Sequence, residues 1–177
     1  MQNRRLDILS ETARELIGET LERVIYFDGV TDAGVPYYHD LLEPTPGRHE
    51  LMQGIDLVTG SGQAFSFYWK AFRDFELAVI QGSMRQRLPN FDAVFDVSHE
   101  TPWNDRISHA ISDVVFSAAA SDEFGYICDC RLEFTGADPI WICARQDTLD
   151  CMEHGDATIV VFDRDEAIRI GVRVDAE

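Results

Sequence analysis

A chain of 177 residues, 45% hydrophobic and 11% aromatic, carries enough apolar material for a folded core, which excludes a disordered polypeptide. Its formal net charge of −17 opposes direct binding to nucleic acid or to an anionic membrane, because both repel an acidic surface. The same charge suits a cationic partner, or serves solubility alone.

The opening MQNRRLDILSET places charges where a signal peptide needs an apolar stretch. No uncharged run reaches the ~20 apolar residues of a membrane span. The expectation is a cytoplasmic protein with reduced thiols. Residues 3–23 predict an amphipathic helix, with Leu6, Leu9, Ala13, Leu16, Ile17 and Leu21 on one face at three- and four-residue spacing. A strand is expected over 23–27, ended by the Asp28-Gly29 turn signal. Residues 29–49, rich in Gly, Pro and His, predict a long excursion, with a short strand or helix within it at VPYYHDLL (35–42). Residues 51–59 alternate as a strand, and Gly60-Ser61-Gly62 supplies a hairpin turn. In the strand that follows, Phe65, Phe67 and Trp69 alternate with Ala64, Ser66 and Tyr68, so both faces are fairly apolar and a central position is expected. Residues 75–81 and 91–98 predict two more strands, with MRQRLPN (84–90) as a loop between them.

The second half opens on Glu100-Thr101-Pro102. Thr101 suits an N-cap and Pro102 the first helical position, so a short helix is expected to about His109. A strand over 111–118 and a hairpin of 126–134 with 139–145 follow. Pairing Phe134 with Pro139 would set Leu132 against Trp141 and Cys130 against Cys143, all on one apolar face. Residues 157–162 read as a buried strand. In 168–174, Ile168, Ile170, Val172 and Val174 alternate with Arg169, Gly171 and Arg173, which predicts a half-exposed strand.

These blocks repeat. LIGETLERVIYF (16–27) matches RISHAISDVVFS (106–117), and DLVTGSGQAFSFYW (56–69) matches RLEFTGADPIWIC (131–143). FELAVIQ (75–81) matches ATIVVFD (157–163), and FDAVFDVS (91–98) matches AIRIGVRV (167–174). The fold class expected is therefore α+β, predominantly antiparallel β. It is built as two tandem halves, 1–99 and 100–177, each a helix plus five strands within one globular domain.

Little in this sequence names a chemistry. Cys128, Cys130, Cys143, Cys151 and His154 would suffice for a zinc site, but no C-x-x-C pair occurs, and Cys130 and Cys143 fall on an apolar face. Buried, reduced thiols and no metal or other cofactor are expected. His39, His49, His99, His109 and His154 form no spaced metal motif, so surface or capping roles are expected. Carboxylate pairs such as Asp92 and Asp96 carry no weight among 32 acidic residues. No phosphate-binding Gly-rich loop or serine-nucleophile motif is present, and no catalytic residue is assigned. The segment DTLDCMEHGD (147–156) holds Asp147, Asp150, Glu153 and Asp156 with no basic residue, and is an insertion relative to the first half. A charged loop on a rigid β scaffold is a common place for recognition, so these four are the candidate partner-binding residues. The function expected is that of a non-catalytic acidic binding protein for a basic protein partner. Bacterial immunity proteins, which neutralise toxic effectors, belong to that class. The alternative is a small-molecule-binding or enzymatic domain with a pocket between the two halves.

Overall fold

The computed structural model describes residues 11–39, 47–70, 76–89, 91, 93–118, 127–145, 157–172 and 174. Among the described residues, ten strands form two antiparallel sheets of five. They are β1 (Leu21–Phe27), β2 (Arg48–Leu51), β3 (Gly54–Thr59), β4 (Ala64–Lys70), β5 (Glu76–Gln81), β6 (Val94–Asp96), β7 (Ile111–Ala118), β8 (Ile127–Phe134), β9 (Ala137–Arg145) and β10 (Ala157–Val161). The first sheet runs β5-β4-β3-β1-β6 and the second β2-β10-β9-β8-β7. Each contains a four-stranded meander, β1-β3-β4-β5 in one and β7-β8-β9-β10 in the other. Two short α-helices lie wholly within the described residues, α1 (Met84–Arg87) and α2 (Arg164–Arg169).

Period-two alternation puts one apolar face of each sheet inward. Val24, Tyr26, Ile55, Leu57, Phe65 and Phe67 of the first sheet share one buried cluster with Cys130, Leu132, Ile140, Ile142 and Val160 of the second. Each such side chain contributes roughly 1.5–3 kcal/mol on full burial, so this shared interior holds the sheets face to face. Strand β4 is buried on both faces, as its composition predicts: Phe65 and Phe67 look inward, while Ser66 lies under α1 on the outer face.

The starts of β1 and β7 meet about a bridge between Thr20 and Ala110. The hydrogen bonds there are reciprocal. Gly18 N donates to Ile111 O at 2.8 Å and Ser108 N to Leu21 O at 2.8 Å. Leu21 N donates to His109 O at 3.0 Å and Ile111 N to Glu19 O at 2.9 Å. Gly18 and Ser108 both take positive φ, 89° and 69°. The ladder shifts register between Leu21 and Arg23 in β1 and between Ile111 and Asp113 in β7.

Beyond the meanders the expected halves do not repeat. Residues 168–174 are not a strand. Asp163 caps α2, accepting from Glu166 N at 2.9 Å, so an Asp-x-x-Glu helix start overrides the alternation read there. The fifth strand of the second sheet is β2, drawn from the first half. Residues 51–59 are two strands in different sheets, split at Met52-Gln53. The helix predicted over 3–23 is helical at 11–14 among the described residues and has turned by Gly18, because residues 18–21 pair with 108–111. Residues 84–87 are helix rather than loop, since Ser83 Oγ accepts from Arg85 N. The helix expected to His109 is one 3-10 turn, Trp103–Asp105, with Pro102 at its cap position and no side-chain cap bond. The β8–β9 turn is shorter than expected: Phe134 pairs with Ala137, Leu132 with Ile140 and Cys130 with Ile142. Trp141 and Cys143 therefore face outward, opposite Arg131 and Asp129.

Candidate functional site

Asp147, Asp150, Glu153 and Asp156, the acidic loop expected to bind a partner, lie outside the described residues. The described residues on either side, Arg145 at the end of β9 and Ala157 at the start of β10, are paired. Cys130 and Cys143 are both buried thiols, but they face opposite sides of the sheet. The side chains of Cys128, Cys151 and His154 lie outside the described set. Among the described residues, no group of three or more His, Cys, Asp and Glu could hold a metal ion, and no helix is long and apolar enough to cross a membrane.

His49, expected at the surface, belongs instead to a polar network between the sheets. It faces inward from β2, and its Nδ1 lies 2.8 Å from the Tyr26 hydroxyl of β1. Trp103 Nε1 donates to that same hydroxyl. The hydroxyl thus joins the indole and the imidazole, accepting from Trp103 and sharing one hydrogen bond with His49 Nδ1. Tyr38 packs edge-on against Tyr26 and donates to Glu100 Oε1 at 3.1 Å. Burial holds the Tyr26 and Tyr38 phenols above their usual range, and Glu100 adds to the effect at Tyr38. Arg106 closes the cluster. It is buried, donates to Pro102 O and Asp138 O, and lies 5.6 Å from the Phe162 ring centroid. Burial lowers its affinity for its proton, against the opposing pull of Asp138 and Asp105.

Three clefts of about 400 Å³ run along the outer side of the second sheet. The one lined by Arg131, Pro139 and Trp141 shares Asp138 with one neighbour and Asp163 with the other, so the three adjoin as a groove. The outer face beneath is covered by Ala167 of α2 with Val172 and Val174. Exposed Asp105, Asp138, Asp163 and Asp165 line its rim. Its arginines are engaged: Arg131 donates to Val174 O and approaches Glu133 at 2.8 Å, while Arg169 forms a bidentate pair with Glu166. Arg48 extends that pairing to β2, reaching Glu166 at 3.3 Å and Glu50 at 2.6 Å.

Residues 28–39, read as a turn signal leading into an excursion with a short strand or helix, form a built corner that ends in a 3-10 turn, Tyr37–His39. Thr31 N donates to Val35 O at 2.8 Å and Gly34 N to Thr31 O at 2.8 Å, with Gly34 at φ 78°. That is a tight turn closed by a left-handed residue, the reason for glycine there. One buried carboxylate holds the base. Asp28 Oδ2 accepts from Tyr38 N at 2.8 Å and Oδ1 from Met52 N at 3.0 Å. Desolvation raises the Asp28 pKa, and these N–H donors oppose the rise. A Cβ on Gly29 would lie 2.4 Å from the Tyr37 ring and 2.6 Å from Met52 Sδ, so those two side chains close over its bare Cα. The sequence signal was present in Thr-Asp-Ala-Gly between apolar residues, a turn reading that the Pro and His content obscured.

No family model, no curated protein and no solved structure matches the chain.

Proposed function

We propose that this protein is a non-catalytic acidic binding protein whose partner is a basic protein, of the kind bacterial immunity proteins represent. The carrying observation is the net charge of −17 set on a two-sheet frame, with Glu11, Glu15, Glu22, Asp113, Asp138 and Asp165 all exposed. A field of that sign steers a cationic partner into encounter and repels nucleic acid. The loop with Asp147, Asp150, Glu153 and Asp156 supplies local charge to that encounter. Exposed pairs contribute only ~0.2–1 kcal/mol each, so their effect falls on association rate more than on affinity.

The test is made on genes adjacent to this one. A basic product whose toxicity this chain suppresses supports the reading. So does association that slows with salt, and that slows again when Asp147, Asp150 and Asp156 become Asn and Glu153 becomes Gln. If instead small metabolites raise the melting temperature and no basic protein is retained at low salt, the small-molecule alternative takes its place.

We also infer that the two meanders descend from one duplicated unit within a single globular domain. The reciprocal bonds about Thr20 and Ala110 and the matching bulges in β1 and β7 support this. Superposing 11–81 on 101–161 in a crystal structure tests it, and bulges falling at non-equivalent residues would rule it out.

A further inference from the structure

Exposed apolar side chains scattered singly over a protein surface need no explanation. Here they are not scattered. Of the six exposed large apolar residues among the described residues, Val30, Val35, Tyr37 and Met52 belong to one corner. Val30 bridges to Pro36, Tyr37 N donates to Gly29 O at 3.1 Å, and Tyr37 and Met52 meet over Gly29. Their exposures run from 37% to 51%, so each leaves a third to a half of its surface in water. The Asp28 carboxylate fixes both the corner and the Met52 turn from below. A surface fixed in advance loses little freedom on binding, which favours affinity. Tyr and Met are also among the residues enriched in interface cores.

We propose that this corner receives the apolar anchor residues of the basic partner, an inference that rests on the binding function above. Charge selects the occupant. A second copy of this chain would bring two charges of −17 together, and that repulsion opposes self-association. A protein that presents apolar side chains within a positively charged surface satisfies both the patch and the field around it.

The probes are two synthetic peptides of equal length and charge, one alternating Lys with Leu and the other Lys with Ser. Titration calorimetry at low salt compares wild type with the surface variants Tyr37→Ser/Met52→Ser and Val30→Ser/Val35→Ser, each checked for wild-type melting. Two pairs are used so that misfolding of one leaves the other to decide. Wild type should bind the Lys–Leu peptide about tenfold more tightly than the Lys–Ser peptide, the loss expected on truncating an interface anchor. Either variant should reduce that preference to within about twofold. Equal affinity of wild type for both peptides overturns the docking surface and leaves the electrostatic reading standing. A preference retained in both variants does the same. Failure of wild type to bind either peptide overturns the basic-partner reading itself. Sedimentation showing a wild-type dimer that Tyr37→Ser/Met52→Ser dissolves also overturns the proposal, by making a second copy the occupant.

Discussion

Tyr26→Phe is the sharpest test of how the two sheets are joined. Tyr26 is fully buried in β1, and its hydroxyl meets Trp103 Nε1 and His49 Nδ1. Phenylalanine keeps the ring and its edge-on contacts with Tyr38, His49 and Trp103, so the change removes the oxygen and little packing. The buried indole N–H then has no acceptor, at a cost of about 1–3 kcal/mol. The lost bond at His49 adds about 0.5–1.5 kcal/mol. The sum of roughly 1.5–4.5 kcal/mol is a large fraction of the 5–15 kcal/mol typical of a domain. At ~2–4 °C per kcal/mol for a chain of this size, the melting temperature should fall by roughly 5–15 °C. Urea unfolding followed by tryptophan fluorescence measures it. Tyr68→Phe is the control, because among the described residues the Tyr68 hydroxyl accepts one long 3.4 Å bond, from the exposed Arg87. A loss below about 0.5 kcal/mol for Tyr26→Phe, no larger than the control, would show that the hydroxyl is not what satisfies the indole.

Two other outcomes follow from the same coordination of burial and charge. Desolvation raises the pKa of Asp28 and of Asp56, the latter despite bonds from Ser66, Ser83 and Met84 N, so the native state holds protons there that the unfolded chain releases. Stability should therefore rise as pH falls from neutrality through these raised values, and this contribution should level off below the unfolded value of 3.8. A urea midpoint that is flat or falling over that window, or equally steep in Asp28→Asn/Asp56→Asn, would contradict it. Cys130 and Cys143 should resist thiol reagents in the native protein, because both are fully buried and burial raises the Cys130 thiol pKa. Residue-resolved alkylation that labels either one as fast as an unfolded control would show that the second sheet opens.

The strands were legible where one face is apolar and the other polar. Residues 111–118 and 75–81 were read close to their observed bounds, Ile111–Ala118 and Glu76–Gln81. The β8–β9 register was not, and the reason is specific. Ile140, Trp141, Ile142 and Cys143 are all buried, so β9 is apolar on both faces and alternation cannot choose between them. The two-residue Thr135-Gly136 turn, with Gly136 at φ 84°, decides it instead. The alternation at 168–174 misled for a related reason. Its period fits a strand, yet the Asp163 cap starts a helix that leaves Ile168 47% exposed and buries Ala167.

The site was less legible, because its parts come from distant positions joined by topology. Strand β2 leaves the first half and pairs with β10 in the second sheet. That crossing is not written in any local pattern, and it builds both features that composition missed. It carries His49 inward, against Tyr26 of the opposite sheet. It then returns through Met52 and Gln53 to β3, where Gln53 N donates to Phe27 O at 3.3 Å. The return turn brings Met52 beside Gly29, next to Tyr37. Asp28 holds the crossing at both ends, taking Tyr38 N before β2 and Met52 N after it. A single buried carboxylate thus sets the geometry of the inter-sheet joint and of the exposed corner together, which is why a residue that composition marks only as a turn signal organises the surface we assign to the partner.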